Sequence, residues 1–479
     1  MTDRLRPRDL SFLAAETAAT PMHNATVEIF EPGKTGFGYD DLVALIDERI
    51  GFVPRYRQRL QFVPGRLANP VWVDDPDFDL GFHVRRSALP RPGSMEQLRD
   101  LVGRIVARPL DRNRPLWEVY VVEGLEGGRV AVLSKSHQIL VDGVQTVDLG
   151  QVLLDVSPEP KQLESDDWRP RPLPSSAALV AEALRDSVDD PGTALVTARS
   201  HLEAALRSLP RGRVPLLPAV PVLRARRPVP ESPVNAELSE QRRFVAVRTE
   251  LDAYRKVRRA HGGTVNDVIL ATVTGALRAW LMTRDESIGG KRSLRAMVPM
   301  SVIDDELEAT SLGTQIAGHI VPLPIGEPSP VIRLHQVSYA FKAHSETGRA
   351  VAANRLAGIA GFAPTTFHAL GSRVAFSQVR KGFNLSITNV PGPQFPLYAA
   401  GAKMRESYPV PALLPGHALA IGVTSYDGGV YYGVTADRDA LPDVALFGQT
   451  LGEALDELVD TATASRFRAP RGRKKAEKK

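Results

Sequence analysis

A chain of 479 residues is too long for one compact core, so its length predicts two domains with a connection. The hydrophobic content of 43% and the charged content of 24% are ordinary for globular proteins and exclude wholesale disorder. Cysteine is absent, which excludes disulfides and cysteine-ligated metal sites and agrees with a reducing, cytoplasmic compartment.

The first predicted elements lead to a short motif, KSHQILVDGV, at residues 135–144. One helix is predicted from Asp40, and a second follows Ser94, which has capping-box spacing with Gln97. The segment WEVYVVEGLEGGRVAVLSKSHQ then predicts a hairpin whose two strands are joined by a glycine-rich turn. The motif stands where the second strand ends, and a helix is expected after Asp142, so the order is strand, motif, helix.

Proline-rich segments between residues 157 and 235 separate the two halves of the chain. Proline interrupts regular structure, although residues 177–209 within this region have a helical pattern and enough apolar side chains to pack on another surface. We therefore interpret 1–156 as the N-terminal domain, 157–235 as a crossover, 236–465 as the C-terminal domain and 466–479 as a basic, disordered tail.

The second half alternates strands and helices in the same way as the first. Strands are predicted for RRFVAVRTEL, LRAMVPMSV, HIVPLPI and FNLSITNVPGP, and a hairpin is predicted around Asp427. The helix TVNDVILATVTGALRAWLMT is apolar over a wide face, which indicates burial, and a last helix carries Phe447 and Leu451. The predicted fold class is therefore α/β, with two layered domains, mixed sheets and a ligand channel between them.

The motif itself places His137 and Asp142 where a strand gives way to a turn, and Gly143 permits a tight backbone there. A His–Asp pair at a strand end is more often structural than catalytic, so both interpretations stay open. G-x-S-x-G, P-loop and dinucleotide-binding patterns are absent from the sequence. The ten histidines show no metal-binding spacing, so no metal site is expected.

Seven further motifs occur in order along nearly the whole chain, from about residue 5 to 462. They are PMHNATVEIF, FHVRR, RPLWEVYVVEGL, TVNDVILA, LRAMVPMSV, LGTQI and TNVPGP. Together with the histidine motif they resemble the bacterial wax ester synthase/diacylglycerol acyltransferase family, which has the chloramphenicol-acetyltransferase-like fold. The resemblance implies transfer of a long-chain acyl group from acyl-CoA, as co-substrate, to diacylglycerol or a fatty alcohol, with no other cofactor.

The family motif is H-H-x-x-x-D-G, and alignment on Asp142 and Gly143 places Gln138 at its second histidine. In the family this histidine is the general base, and the aspartate shapes the turn. A glutamine amide can accept a hydrogen bond but cannot carry a proton away. Three hypotheses follow. The protein is a weakened or rewired acyltransferase, in which His137 becomes the base if the strand bulges; it is a non-catalytic binder of acyl-CoA or lipid; or it has an altered reaction or is a structural partner. LGTQI departs as well, because Thr314 stands where the family usually has asparagine.

The resemblance also implies substrate contacts outside the histidine motif. We assign them to Trp117, Asn266, Asp267, Gln315 and Asn389. Trp117 could equally be a packing residue, and Asn266 and Asp267 could instead cap the start of their helix.

The charge of the chain is concentrated at its C-terminal end. Arg466–Lys479 has eight basic residues and one acidic residue, a net of +7, while the whole chain carries +5. A near-neutral body does not suit nucleic acid, which would require basic residues over a face. The tail is either simply solvated or attracted to an anionic membrane or lipid inclusion. No apolar run suggests a signal peptide or a membrane span, so we expect a cytoplasmic protein, soluble or bound to the membrane from one side.

Overall fold

A computed structural model describes most of the chain. Asp142, Gly143, the predicted helical insert beyond Asp189 and the tail beyond Phe467 lie outside the described residues, as does the side chain of Gln315. The described residues are 3–33, 36–141, 149–160, 168–189, 229–286, 288–290, 292–303, 314–347, 364–377, 379 and 382–467.

Strands and helices alternate in both halves, as predicted. The strands are β1 (Asp3–Arg4), β2 (His23–Glu31), β3 (Gln58–Gln61), β4 (Val71–Asp74), β5 (Val84–Ala88), β6 (Trp117–Leu125), β7 (Arg129–His137), β8 (Arg242–Glu250), β9 (Leu294–Ile303), β10 (Thr314–Leu323), β11 (Leu385–Pro391), β12 (Tyr398–Ala399), β13 (Ala402–Val410), β14 (Leu419–Tyr426) and β15 (Gly429–Asp437). The α-helices are α1 (Pro7–Ala15), α2 (Tyr39–Arg49), α3 (Leu80–His83), α4 (Met95–Val106), α5 (Leu149–Leu153), α6 (Ser176–Asp189), α7 (Leu251–His261), α8 (Val265–Thr283), α9 (Pro330–Thr347), α10 (Pro364–Ser377) and α11 (Val444–Phe467).

Local sequence signals place several of these elements correctly. Ser94 and Gln97 form the predicted capping box at the start of α4: the Ser94 hydroxyl accepts from the Gln97 N–H at 3.3 Å, and the Gln97 side chain accepts from the Ser94 N–H at 2.9 Å. The hairpin of β14 and β15 closes through Asp427 and Gly428, both with positive φ. The helix predicted from Asp40 is α2, and it begins at Tyr39 instead, because the Asp41 carboxylate accepts from the backbone N–H of Gly38.

Two mixed six-stranded sheets form the body, which confirms the predicted fold class. The first has the order β12-β13-β2-β7-β6-β5 and is antiparallel except for the parallel pair β5 and β6. The second has the order β10-β9-β11-β14-β15-β8, with β11 parallel to both β9 and β14. A third sheet of three short strands has the order β1-β4-β3. Each large sheet is covered by its own apolar core.

The two large sheets do not separate along the chain at the predicted domain boundaries. β12 and β13, which follow β11 of the second sheet, cross over and join the first sheet, where Ala402–Val410 pairs with β2. Neither strand was predicted from the sequence, and a local strand pattern does not determine which sheet a strand joins. The C-terminal half therefore contributes directly to the sheet that holds the histidine motif.

The start of the crossover packs on the small sheet, in agreement with its apolar composition. Leu179 and Ala183 of α6 are buried against Val63, Val71 and Val73. Each of these side chains is at most 6% exposed, so α6 is anchored to the N-terminal half.

The helix α8 is the one helix in the described part of the chain that is long and apolar enough to cross a membrane. Most of its apolar stretch is buried inside the protein, where Leu270, Leu277 and Trp280 are fully enclosed. Length and composition alone are weak evidence for a span, because core helices pass the same test. The burial predicted from its wide apolar face is confirmed.

Candidate functional site

The histidine motif lies at the end of β7, which pairs with β2 without any interruption. The register runs from Phe30 opposite Val130 to His23 opposite His137. The chain then enters a single 3₁₀ turn, and the Gln138 N–H donates to the Met22 carbonyl at 3.0 Å. The strand therefore stays extended through His137, with no bulge in its pairing with β2 that would turn this side chain over.

Both ring nitrogens of His137 are directed at other groups of the protein. Nδ1 accepts a hydrogen bond from the Ile139 N–H at 3.2 Å, and Nε2 lies 3.6 Å from Glu16 Oε2. The Nδ1 contact leaves the proton on Nε2, pointing at a carboxylate. His137 is completely buried, so the reading in which it replaces the missing base has no support in this geometry.

Glu16 is held in its ionised form beneath the motif. Its Oε1 accepts from the Met22 N–H at 3.0 Å, and its Oε2 accepts from Arg112 Nη2 at 2.5 Å. Burial raises the pKa of the Glu16 carboxyl, but His137, Met22 and Arg112 outweigh that effect and the pKa lies well below its usual value. A permanent negative charge beside Nε2 stabilises the observed orientation of His137.

Gln138 is the first residue of the 3₁₀ turn that follows the strand. The residue is completely buried, yet neither Oε1 nor Nε2 of its side chain makes a hydrogen bond to any residue that the structure describes. A buried amide left unsatisfied costs about 1–3 kcal/mol, and such groups in native proteins need an explanation. A binding site for a polar group supplies one.

The helix α10 brings the C-terminal half against this turn. Arg373 Nη1 donates to the carbonyls of Gln138 and Val141, each at 2.8 Å, and Nη2 forms an ion pair with Asp9. The preceding residue, Ser372, donates to Asn24 Oδ1 on β2 at 3.0 Å. The turn that carries Gln138 is therefore fixed from the opposite half of the chain.

The other side of α10 packs on the second sheet. His368 bridges two threonine hydroxyls, with Nδ1 2.7 Å from Thr388 Oγ1 and Nε2 2.9 Å from Thr424 Oγ1. Burial lowers the pKa of His368 to about 3, so the ring is neutral near pH 7. A side chain at Gly371 would lie 2.8 Å from Thr388 Cγ2, so glycine permits this close approach. α10 thus lies between the two sheets, where the channel was predicted.

The predicted substrate contacts of the second half fall into a pair and two isolated residues. Asn389 Nδ2 donates to Asn266 Oδ1 at 2.8 Å, and both residues are half-buried. Asp267 closes a capping box with Thr264 and also accepts from the Ser338 hydroxyl at 3.1 Å. Of the two predicted capping residues only Asp267 caps the helix, because the Asn266 side chain accepts a hydrogen bond from Asn389 instead.

The remaining predicted contact, Gln315, lies on β10 opposite Val302.

Trp117 is a packing residue in this structure. It is 1% exposed, its Nε1 donates to the Tyr56 carbonyl at 2.7 Å, and its ring stacks on His83 with centroids 4.6 Å apart. These contacts account for an aromatic residue at the start of β6. Substrate contact by Trp117 stays a prediction, as it does for the other four assigned residues.

Three residues of this site were not identified from the sequence. Asn24 lies inside the quoted motif PMHNATVEIF, so it was marked without a role, whereas Glu16 and Arg373 have no local signal. Glu16 and its neighbour His137 are 121 residues apart in the sequence, and Arg373 and Gln138 are 235 residues apart. Among the described residues no group of three or more histidine, aspartate or glutamate side chains could hold a metal ion.

Comparison with known proteins agrees with this architecture. The wax ester synthase/diacylglycerol acyltransferase catalytic domain matches residues 5–269, and the WS/DGAT C-terminal domain matches residues 312–459. The probable diacylglycerol O-acyltransferase tgs3 of Mycobacterium tuberculosis is 43% identical over 262 residues, 54% of this chain and 96% of that protein. The probable diacylglycerol O-acyltransferase tgs2 of the same organism is 32% identical over 465 residues, 95% of this chain and 98% of that protein.

Solved structures of related proteins have the same fold. The wax ester synthase/diacylglycerol acyltransferase from Marinobacter aquaeolei VT8 is 28% identical, with a TM-score of 0.66 over 96% of this chain and all of that chain. The first condensation domain of the calcium-dependent antibiotic synthetase has a TM-score of 0.54 at 13% identity, over 96% of this chain and 98% of that domain. The condensation domain supports the fold alone. The chain belongs to the wax ester synthase/diacylglycerol acyltransferase family.

Proposed function

We propose that the protein transfers a long-chain acyl group from acyl-CoA to the hydroxyl of diacylglycerol or a fatty alcohol. The hydroxyl oxygen bonds to the thioester carbon, the carbon–sulfur bond breaks, and the hydroxyl proton ends on the sulfur of the released CoA. The observation that carries the proposal is the match of both family domains, which extend over residues 5–269 and 312–459 and include the motif turn and Asn266.

In this reaction Gln138 occupies the position of the base. It cannot accept the proton, and the buried His137 has Nδ1 bonded to the Ile139 N–H and Nε2 3.6 Å from the Glu16 carboxylate. The remaining contributions are alignment of the two substrates and hydrogen bonding by Gln138, and alignment alone accounts for several kcal/mol in related intramolecular reactions. We therefore expect slow transfer, because a positioned base contributes about 10²–10⁴ in rate.

The second candidate is a protein that binds acyl-CoA or lipid without turnover. The observation that favours it is again Gln138, a neutral and fully buried amide where the reaction needs a base. A binding protein would keep the fold and the hydrogen bonds by which Arg373 fixes the motif turn, but it would not need proton transfer.

Product analysis distinguishes the two candidates. Purified protein is incubated with labelled palmitoyl-CoA and with dioleoylglycerol, hexadecanol or no acceptor. An acceptor-dependent labelled ester, formed faster than in a heat-denatured control, supports the enzyme. Bound palmitoyl-CoA with no ester above that control supports the binding protein.

A first prediction concerns the acyl channel. Palmitoyl-CoA at 100 times its Kd should stabilise the folded state by about 2.7 kcal/mol through mass action. Acetyl-CoA at the same concentration should have less effect, because each buried methylene contributes about 0.8 kcal/mol. Thermal unfolding with each ligand is the measurement, and octanoyl-CoA should give an intermediate shift. Equal shifts of the unfolding temperature with acetyl-CoA and palmitoyl-CoA would contradict a channel for long acyl chains.

A second prediction concerns location at a membrane or lipid inclusion on the cytoplasmic side, which we propose from the basic tail. Deleting residues 468–479 leaves α11 intact, because this helix ends at Phe467, and removes seven of the eight basic residues. Each basic residue near an anionic surface contributes about 1 kcal/mol, so vesicle binding should fall at least about tenfold.

The measurement is co-sedimentation with phosphatidylserine-containing and neutral vesicles, at low and high salt. A full-length variant with Gln at the seven positions is the matched control and should behave like the deletion. If both variants still bind anionic vesicles at the original level, the tail is merely solvated.

A further inference from the structure

Asn24 is a second buried amide beside Gln138. It is 1% exposed, and its Oδ1 accepts from the Ser372 hydroxyl while its Nδ2 has no partner among the described residues. The unsatisfied nitrogen of the amide therefore offers donor hydrogens. An amide held in this way needs an acceptor oxygen.

The sheet register places Asn24 and Gln138 on the same side. Asn24 pairs with Ser136, and His23 pairs with His137. Side chains alternate along a strand, so His23 and His137 face one side of the sheet while Asn24 faces the other. The bond from the Gln138 N–H to the Met22 carbonyl continues this register by one pair, so Gln138 stands opposite Met22, which faces the same side as Asn24 two residues later.

Contacts with α10 show that both amides lie against the C-terminal half. Ser372 donates to the side chain of Asn24, and the next residue, Arg373, donates to the backbone carbonyl of Gln138. The Gln138 N–H also donates to the Met22 carbonyl, two residues before Asn24. The two side chains thus belong to one buried region between β2, the motif turn and α10.

The chemistry of this region suits a neutral oxygen rather than an anion. The nearby guanidinium of Arg373 is already paired with Asp9. In the part of the region that the structure describes, the unpartnered groups are the amide hydrogens of Asn24 and Gln138 and the side-chain carbonyl of Gln138. A carbonyl oxygen accepts two hydrogen bonds and donates none, so it matches a fixed amide donor. The carbonyl that the proposed reaction brings here is that of the thioester.

We propose that Asn24 is a substrate-binding residue whose Nδ2 donates a hydrogen bond to the thioester carbonyl oxygen of bound acyl-CoA. The inference rests on the proposed function and adds a specific donor to it. When the acceptor hydroxyl attacks, negative charge develops on that oxygen, and a preoriented donor stabilises it without moving. Ser372 is the positioning residue, because its hydroxyl keeps the donor side of the amide turned toward the substrate.

The test uses two unreactive CoA ligands of matched chain length, so that it does not depend on turnover. One is the 2-oxoheptadecyl thioether, which keeps a carbonyl, and the other is the heptadecyl thioether, which has none. Wild-type protein should bind the ketone about three- to tenfold more tightly, the range expected for one neutral hydrogen bond. Asn24→Leu should bind both ligands with similar affinity while retaining its affinity for the heptadecyl thioether.

The matched control is Ser407→Ala. Ser407 is completely buried in the same sheet, on β13, and its hydroxyl likewise has no hydrogen-bond partner among the described residues. Its loss should leave the preference for the ketone unchanged. If Asn24→Leu does not fold, the infrared stretch of the ¹³C-labelled ketone bound to wild type replaces it, and a frequency below that in an apolar solvent is expected.

Each failure has a separate meaning. Binding of neither ligand would overturn the proposed function itself. Equal binding of both by wild type, or a ketone preference that survives Asn24→Leu, would overturn the role of Asn24 and leave acyl-CoA binding intact. A ketone stretch equal to that in apolar solvent would overturn it as well.

Discussion

Replacing Gln138 with histidine should raise acyl transfer by about 10²–10⁴, the contribution of a positioned general base. The new imidazole would stand in the turn that Arg373 and Met22 fix, on the side of the strand away from His137. The rate should increase with pH through an apparent pKa near 6.5, because only the neutral ring can accept the hydroxyl proton. The measurement is the initial rate of labelled ester formation between pH 5 and 9.

The matched control for this substitution is Gln138→Met, which has similar volume and no basic nitrogen. It should show neither the increase in the rate of acyl transfer nor its pH dependence.

His137→Ala in the natural protein should mainly reduce stability, because it removes the contacts to Ile139 and Glu16 and leaves a buried carboxylate next to a cavity. If Gln138→His is inactive with every acceptor but still binds acyl-CoA, the deficit extends beyond one side chain, with Thr314 as the next difference to test.

Replacing Arg373 with methionine should lower the free energy of unfolding by about 3–5 kcal/mol, the usual result of removing one partner of a buried ion pair. The side chains of Arg373 and Asp9 are 9% and 3% exposed, so the Asp9 carboxylate would be left without its cation. The carbonyls of Gln138 and Val141 would also lose the hydrogen bonds that Arg373 donates to them. Urea denaturation gives the difference, provided that the dependence on urea is unchanged.

Two further variants show whether the effect belongs to the buried charge. Asp9→Asn combined with Arg373→Met should recover part of the loss, since no unpaired charge then remains. Arg255→Met removes an ion pair with Asp252 whose side chains are 46% and 84% exposed, and it should cost less than about 1 kcal/mol. Equal losses in Arg373→Met and Arg255→Met would contradict the assignment of Arg373 as the clamp of the motif turn.

Local patterns in the sequence determined most of the elements. The capping box of Ser94 and Gln97, the Asp427–Gly428 turn and the apolar face of Val265–Thr283 each depend on neighbours within a few residues. Such short-range preferences are written in adjacent side chains, so they are readable without a structure. The ordered motifs also pointed to the family, which the comparisons confirm.

The position of the strand Ala402–Val410 was decided only by tertiary packing. This strand was not predicted from the sequence, and it joins β2 of the first sheet rather than the second sheet that precedes it along the chain. Pairing between distant segments depends on which apolar faces meet, and one segment cannot specify that alone.

The identity of the motif residues came from the sequence, but their roles depend on the structure. The sequence showed Gln138 where a base was expected, and strand alternation indicated that His137 would face the other way if the strand stayed extended. Only the fold shows that it does, that Glu16 holds His137, and that Asn24 lies with Gln138 against α10. These contacts join segments far apart in the chain, and their geometry arises when the two sheets close around one helix.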